Sequence, residues 1–145
     1  MAELIELVIE QHFIKQDIKL NLSAVDALVE EFRFKLLVKN LLDNASLYSS
    51  TDALEIKVSL TVKNGEIILN IRDFGSGIST EDLAHITEPF YRADIARQLS
   101  TGGYGLGLYL CHQIVQAQDG RIEITSQIDV GTTVSVFLPA SNPLT

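Results

Sequence analysis

The stretch LEIKVSLTVKNGEIILNIRDFGSG, residues 54–77, contains two runs separated by Asn64-Gly65. Residues 54–62 and 66–71 read as two strands. Asn and Gly both tolerate positive φ, so Asn64-Gly65 suits a tight turn and the two runs form an antiparallel hairpin. The second strand ends in Asp73-Phe74-Gly75-Ser76-Gly77. A carboxylate there stands at the edge of a pocket without leaving the sheet. As an acceptor it suits the exocyclic amine of adenine and opposes the carbonyl of guanine. An Asp that only caps the turn is the other reading of that residue.

Outward from the hairpin the chain alternates helices with further strands. Residues 31–49 carry Phe34, Leu37, Val38, Leu41, Leu42, Ala45 and Tyr48 at three- and four-residue steps, the pattern of a helix with one core face. Residues 3–16 read as a helix, residues 17–23 as a strand alternating Ile18, Leu20 and Leu22 against Lys19 and Asn21, and residues 27–29 as a short extended piece. Downstream, Ser79 caps a short helix with Glu81 and Asp82 in its first turn. Residues 88–103 keep no period, and a long loop in a compact domain is usually functional. Residues 106–118 are helical with Gly120 as their stop, and strands at 121–127 and 132–138 complete the chain. Helices mixed with hairpins, rather than strict βαβ alternation, predict an α/β (α+β) two-layer sandwich: a mixed, mostly antiparallel sheet with helices on one face.

Composition narrows the function classes. The 145 residues form one expected domain, 1–145, large enough to bury about 70% of its unfolded surface. Nineteen acidic against eleven basic side chains give a net charge of −8, which disfavours a general nucleic-acid or acidic-membrane binder. Cys111 is the single cysteine, so an intrachain disulfide and a cysteine zinc cluster are both excluded. With no apolar run near the roughly 18 residues of a membrane span, a cytoplasmic domain is expected.

Six of the nine glycines lie between Gly75 and Gly107, in the turn after Asp73 and in Gly102-Gly103-Tyr104-Gly105-Leu106-Gly107. Glycine permits positive φ and close approach of a bound group, and the second cluster opens a helix whose free N–H groups favour an anion such as phosphate. Neither cluster has the spacing of a Walker loop or a dinucleotide fold. Asn40 and Asn44, four apart, fall on one margin of the apolar stripe of their helix, and amide oxygens are hard ligands suited to magnesium held mainly by phosphates and water. Arg92 and Arg97 are the cations nearest the glycine clusters and could clamp a terminal phosphate or simply be solvated loop charges.

Together these segments resemble the catalytic ATP-binding domain of bacterial sensor histidine kinases, in the superfamily that includes gyrase, heat-shock chaperone and mismatch-repair ATPases. Asn40-Leu41-Leu42-Asp43-Asn44-Ala45 resembles the N box, Asp73-Phe74-Gly75-Ser76-Gly77-Ile78 the G1 box, Glu88-Pro89-Phe90-Tyr91-Arg92 the F box and Gly103-Tyr104-Gly105-Leu106-Gly107-Leu108 the G2 box. Gly131-Thr132-Thr133 is similar to the final glycine-threonine element, with Thr133 on the nucleotide. The resemblance implies the Bergerat ATP-binding fold, ATP and Mg²⁺ as cofactors, and a mobile lid from about residue 89 to 104. It implies that Asp73 binds the adenine amine beside Gly75, Gly77 and Ile78, that Tyr48 lines the adenine side, and that Asn44 and Asn40 serve Mg²⁺ and phosphate. It further implies that Phe90 anchors the lid, that Arg92 reaches the γ-phosphate, and that Gly103, Tyr104, Gly105, Leu106, Gly107 and Leu108 bring a helix N-terminus to the phosphates. The implied chemistry is phosphoryl transfer to a histidine on a separate dimerisation and phosphoacceptor domain, with a response regulator downstream, and the isolated domain is expected to be a monomer.

Two departures stand out. Leu47 occupies the place where the family usually has a phosphate-facing Lys, which Lys39 or a lid arginine would have to replace. None of His12, His85 and His112 has the surroundings of a phosphoacceptor, so the acceptor domain is expected elsewhere. A gyrase- or chaperone-type ATPase would carry a Glu as general base at Asn40, and an amide cannot take a proton from water. A degenerate nucleotide-sensing or partner-binding module is the reading that Leu47 leaves open.

Overall fold

The runs at residues 54–62 and 66–71 become β2 (Glu55–Lys63) and β3 (Glu66–Asp73), antiparallel, with Asn64 and Gly65 both at positive φ in the turn between them. The computed structural model describes residues 1–12, 17–22, 31–48, 55–85 and 107–140, with the side chains of residues 12, 17 and 46–48 left aside. The remaining elements are α1 (Ala2–His12), β1 (Asp17–Leu22), α2 (Glu31–Tyr48), α3 (Thr80–Leu83), α4 (Gly107–Ala117), β4 (Arg121–Gln127) and β5 (Gly131–Pro139). Every boundary lies within a few residues of the sequence reading. The extended piece at 27–29 and the irregular segment at 88–103 lie outside the described residues.

The strands form one five-stranded sheet in the order β1-β2-β3-β5-β4, in which β1 and β2 are parallel and the other pairs antiparallel. A parallel pair needs a crossover between its strands, and α2 lies on the one that links β1 to β2. Period-two burial then divides the sheet. Ile56, Val58 and Leu60 of β2, Ile67, Leu69 and Ile71 of β3, and Val134, Val136 and Leu138 of β5 are buried, while their odd-numbered or even-numbered neighbours reach the other face.

Onto the apolar face pack α2, through Phe34, Leu37, Val38, Leu41 and Leu42, and α4, through Leu108, Cys111, Ile114 and Val115. Ile5 and Val8 of α1 close the core beside α2. Each such fully buried side chain contributes about 1.5–3 kcal/mol of transfer free energy, which dominates the modest local propensities. Cys111 is part of this core. Its thiol lies 3.8 Å from the Leu37 carbonyl, and burial pushes its pKa up to about 12.

The stop of α4 differs from the sequence reading in one residue. Asp119, not Gly120, takes the left-handed conformation, and the N–H groups of Gly120 and Asp119 donate to the carbonyls of Val115 and Gln116. That is the paired end-of-helix bond pattern with Asp119 at the left-handed position. Gly120 is required for another reason: a Cβ there would run into the Phe137 carbonyl oxygen of β5.

Gly120→Ala is therefore expected to destabilise the fold by about 1–3 kcal/mol, whereas Asp119→Gly leaves stability unchanged or raises it by up to about 1 kcal/mol. Urea denaturation of the two variants against wild type checks the assignment. The Cys111 thiol is expected to react with a small alkylating reagent no faster than the core opens, which a comparison of labelling and unfolding rates tests.

Candidate functional site

Asp73 is the last residue of β3, and the strand's alternation turns it to the same face as Ile67, Leu69 and Ile71. It is only 2% exposed. Its Oδ1 accepts the Gly75 N–H at 3.0 Å and the Thr132 N–H at 3.2 Å, and among the described residues Oδ2 has no partner. Desolvation raises the Asp73 pKa, opposed by the two N–H bonds, and no described cation offsets it. A buried carboxylate with one oxygen anchored and the other free is a fixed acceptor awaiting a donor.

The β4–β5 hairpin holds the glycine turn in place. The Asp129 N–H donates to the Ser76 carbonyl at 2.8 Å, and the Ile78 N–H donates to Ser126 Oγ at 2.7 Å. Ser126 Oγ also lies 3.1 Å from the Gly131 carbonyl and 2.7 Å from Thr132 Oγ1. A hydroxyl has one hydrogen and two lone pairs, so the arrangement that satisfies every group has Ser126 donating to Gly131 and accepting from Ile78 and Thr132. Gly77 and Gly131 are both at positive φ, and a Cβ on either would strike backbone: the Gln127 carbonyl for Gly77, the Asp73 carbonyl for Gly131. The empty side-chain position at Gly77 is thus filled by the chain's own hairpin, not by a bound group.

Thr132 and Thr133 stand on opposite faces of the sheet. Alternation along β5 puts Thr132 on the core face with Val134 and Val136, and Thr133 on the opposite face, paired with Arg72 across the ladder. Thr132 meets Asp73; Thr133 does not share its face. The order Thr132, Val134, Val136, Leu138 carries that information in the sequence, because the apolar members mark the buried parity. Ser126 left no such signal, since its partners are 5 to 48 positions away in the chain.

On α2, Asn40 and Asn44 are half-buried at the margin of the apolar stripe. Asn40 Nδ2 is buried without a hydrogen-bond partner, a donor left over by the protein's own contacts. Lys39 is not turned to replace the family's usual lysine: its Nζ bonds Asp43 Oδ2 at 2.8 Å on the exposed side of the helix. Ile78 and Leu108 are buried, Gly75 closes on Asp73, and Gly107 opens α4. Tyr48 is described only as the end of α2, and Phe90, Arg92, Gly103, Tyr104, Gly105 and Leu106 lie outside the described residues. Among the described residues no three His, Cys, Asp or Glu side chains gather as a metal cluster. A magnesium ion at Asn40 and Asn44 would therefore have to arrive with phosphate oxygens as most of its ligands.

The family model described as "Histidine kinase-, DNA gyrase B-, and HSP90-like ATPase" matches residues 29–142. The sensor protein SrrB of Staphylococcus aureus (strain NCTC 8325 / PS 47) is 37% identical over 107 residues, which are 74% of this chain and 18% of that protein. The chain thus spans less than a fifth of the length of the curated relatives it matches. Among solved structures, the mycobacterial sensor histidine kinase MprB is similar with a TM-score of 0.85 at 26% identity, over 97% of this chain and 95% of that one. The Acinetobacter baumannii histidine kinase AdeS is similar with a TM-score of 0.77 at 27% identity, over 97% of this chain and 65% of that one.

Two stability measurements test the site geometry. Because the folded Asp73 pKa is raised, the folded state holds that proton more tightly than the unfolded chain does. Its charge therefore costs stability: the cost is absent below the ordinary value near 3.8, grows as pH rises through the folded value, and is constant above it. Stability of wild type relative to Asp73→Asn is expected to fall with rising pH over that window and then level off. Ser126→Ala strips the Ile78 N–H of its acceptor and is expected to cost about 1–3 kcal/mol in denaturant unfolding.

Proposed function

As the chain belongs to the family of histidine kinase-, DNA gyrase B- and HSP90-like ATPase domains, we propose that it is the ATP-binding catalytic domain of a two-component sensor histidine kinase. In this reading it passes the γ-phosphoryl group of ATP to a histidine on a separate dimerisation and phosphoacceptor domain, with a response regulator downstream. The observation that carries the reading is Asp73: a buried acceptor, anchored through Oδ1 by Gly75 and Thr132, with Oδ2 left for a donor. An adenine amine supplies that donor, and a guanine carbonyl would repel the same oxygen.

Residues of the glycine turn, α2, the start of α4 and the lid divide the remaining tasks. In this reading Ile78, buried beside the glycine turn, and Tyr48, a residue of the last turn of α2, are assigned to the base. The Asn40 amide, with its unpartnered Nδ2, and the Asn44 amide orient phosphate oxygens and the magnesium that accompanies them. Gly107 begins α4, whose N-terminus is assigned to the phosphates in this reading, together with the glycine-rich residues Gly103, Tyr104, Gly105 and Leu106 and with Leu108. Phe90 anchors the lid and Arg92 reaches the terminal phosphate. Bound magnesium supplies charge neutralisation for the phosphoryl group, and the protein's part is positioning. Asn40 occupies the place of the ATPase general base, which favours transfer to a delivered acceptor over hydrolysis.

The parent protein is a membrane-anchored sensor with this domain in the cytoplasm, although no described helix of this chain is long and apolar enough to cross a membrane. Calorimetry with non-hydrolysable analogues tests the site. ATP-analogue affinity in the micromolar range with clear preference over the GTP analogue is expected, and Asp73→Asn is expected to weaken it by tenfold or more, far beyond Arg92→Ala. Equal affinity of wild type and Asp73→Asn sinks the adenine assignment. Phosphate transfer to an acceptor helix supplied in trans tests the kinase step separately.

A further inference from the structure

We propose that the open face of the sheet carries a second ligand site, for a compact polyanion bearing two or more phosphate or carboxylate groups. The register sets it up. Lys19 of β1 pairs with Lys57 of β2, Lys57 with Arg72 of β3, and Arg72 with Thr133 of β5, in one row across four strands. The next row on the same face is Asn21, Ser59, Asn70 and Ser135, all neutral hydrogen-bonding side chains. All of these residues but Ser135 line a concavity of about 440 Å³, a volume that suits a small molecule.

The charge arrangement is the second observation. At about 4.8 Å between strands, three cationic stems rise within roughly 10 Å of one another. Like charges directly opposite in a sheet destabilise it. They stand together here in a chain whose net charge is −8. Among the described residues neither Lys57 nor Arg72 has an acidic partner; both rest on the Phe74 ring, with Arg72 Cζ 4.7 Å and Lys57 Nζ 5.4 Å from its centroid. Glu55, the next residue of β2 on this face, forms no ion pair with either. A guanidinium held over a ring keeps its N–H donors for an oxyanion, since the ring accepts none of them as a conventional hydrogen bond.

Arg121 on β4 shows the contrast. It stacks on Phe137 in the same manner, but Glu66 accepts from it at 2.6 Å and Glu123 at 3.4 Å. The sheet pairs that arginine with acids, whereas among the described residues Arg72 and Lys57 meet only an aromatic ring. Thr133 adds a hydroxyl at the end of the row, and Asn70, whose Oδ1 accepts from Ser135, keeps its Nδ2 as a donor. The concavity runs from the edge strand β1 inward across β2 and β3 to Thr133 of β5, and its size suits a compact anion. It is separate from the Asp73 side, because Thr132 and Thr133 alternate across the sheet.

Titration of the protein with inorganic tripolyphosphate at low ionic strength, read by backbone amide shifts, tests this site whatever the opposite face binds. Saturable shifts centred on Lys57, Ser59, Asn70 and Thr133 are expected, with at least tenfold weaker binding in Lys57→Ala/Arg72→Ala and an intermediate effect in Arg72→Lys. Both side chains are exposed, so the double variant keeps its melting temperature. A parallel titration with citrate separates carboxylate from phosphate chemistry. Shifts confined to residues 75–78 and 107–111, an unchanged affinity in the double variant, or no saturation up to about 10 mM overturns the proposal. Binding of polyglutamate without tripolyphosphate or citrate also overturns it, in favour of an acidic protein segment.

Discussion

The two N–H bonds to Asp73 Oδ1 tie together parts of the chain that are otherwise far apart: the end of β3, the glycine turn that follows it, and the start of β5. A carboxylate buried without a cation is unfavourable by itself, and only donors placed by the surrounding fold make it tolerable. Those donors come from opposite sides. Gly75 reaches Asp73 through a local turn, whereas Thr132 reaches it only because β5 lies against β3 in a particular register. The pocket's acceptor is therefore as rigid as the central sheet.

Around this clamp the backbone leaves little spare room. Gly77 sits against Gln127 and Gly131 against Asp73, so the protein uses both glycines for close contact between its own segments. Ser126 completes the same junction by serving three partners with one hydroxyl. What remains unpaired is correspondingly informative. Among the described residues Asp73 Oδ2 and Asn40 Nδ2 are left without partners, one at the end of β3 and the other on α2, and both are assigned to the nucleotide in the proposed reading.

The sheet also separates two chemistries by parity alone. One set of alternate residues makes the core and ends in Asp73 and Thr132; the other carries Lys57, Arg72 and Thr133 on the open face. Phe74 joins them, being the residue after Asp73 and the ring on which Arg72 and Lys57 rest. A turn that serves the pocket on one side thus supports a basic row on the other.

Local features were legible in the chain because they depend on neighbours in sequence. The Asn64-Gly65 turn, the strands β2 and β3, the apolar stripe of α2 and the capping Ser79 all follow from backbone preference and periodicity. The family resemblance, which rests on short ordered motifs, was legible for the same reason and agrees with the family match over residues 29–142. Contacts between distant segments were not. That Asp119 rather than Gly120 turns left-handed, that Lys39 pairs with Asp43, that Thr132 rather than Thr133 meets Asp73, and that Ser126 anchors the glycine turn were settled by packing and register. The chain by itself determined which elements form and which residue types carry the chemistry; only the tertiary structure decided that Thr132 rather than Thr133 meets Asp73 and that Asp119 rather than Gly120 turns left-handed, because strand register and close backbone contact are set by partners remote in sequence.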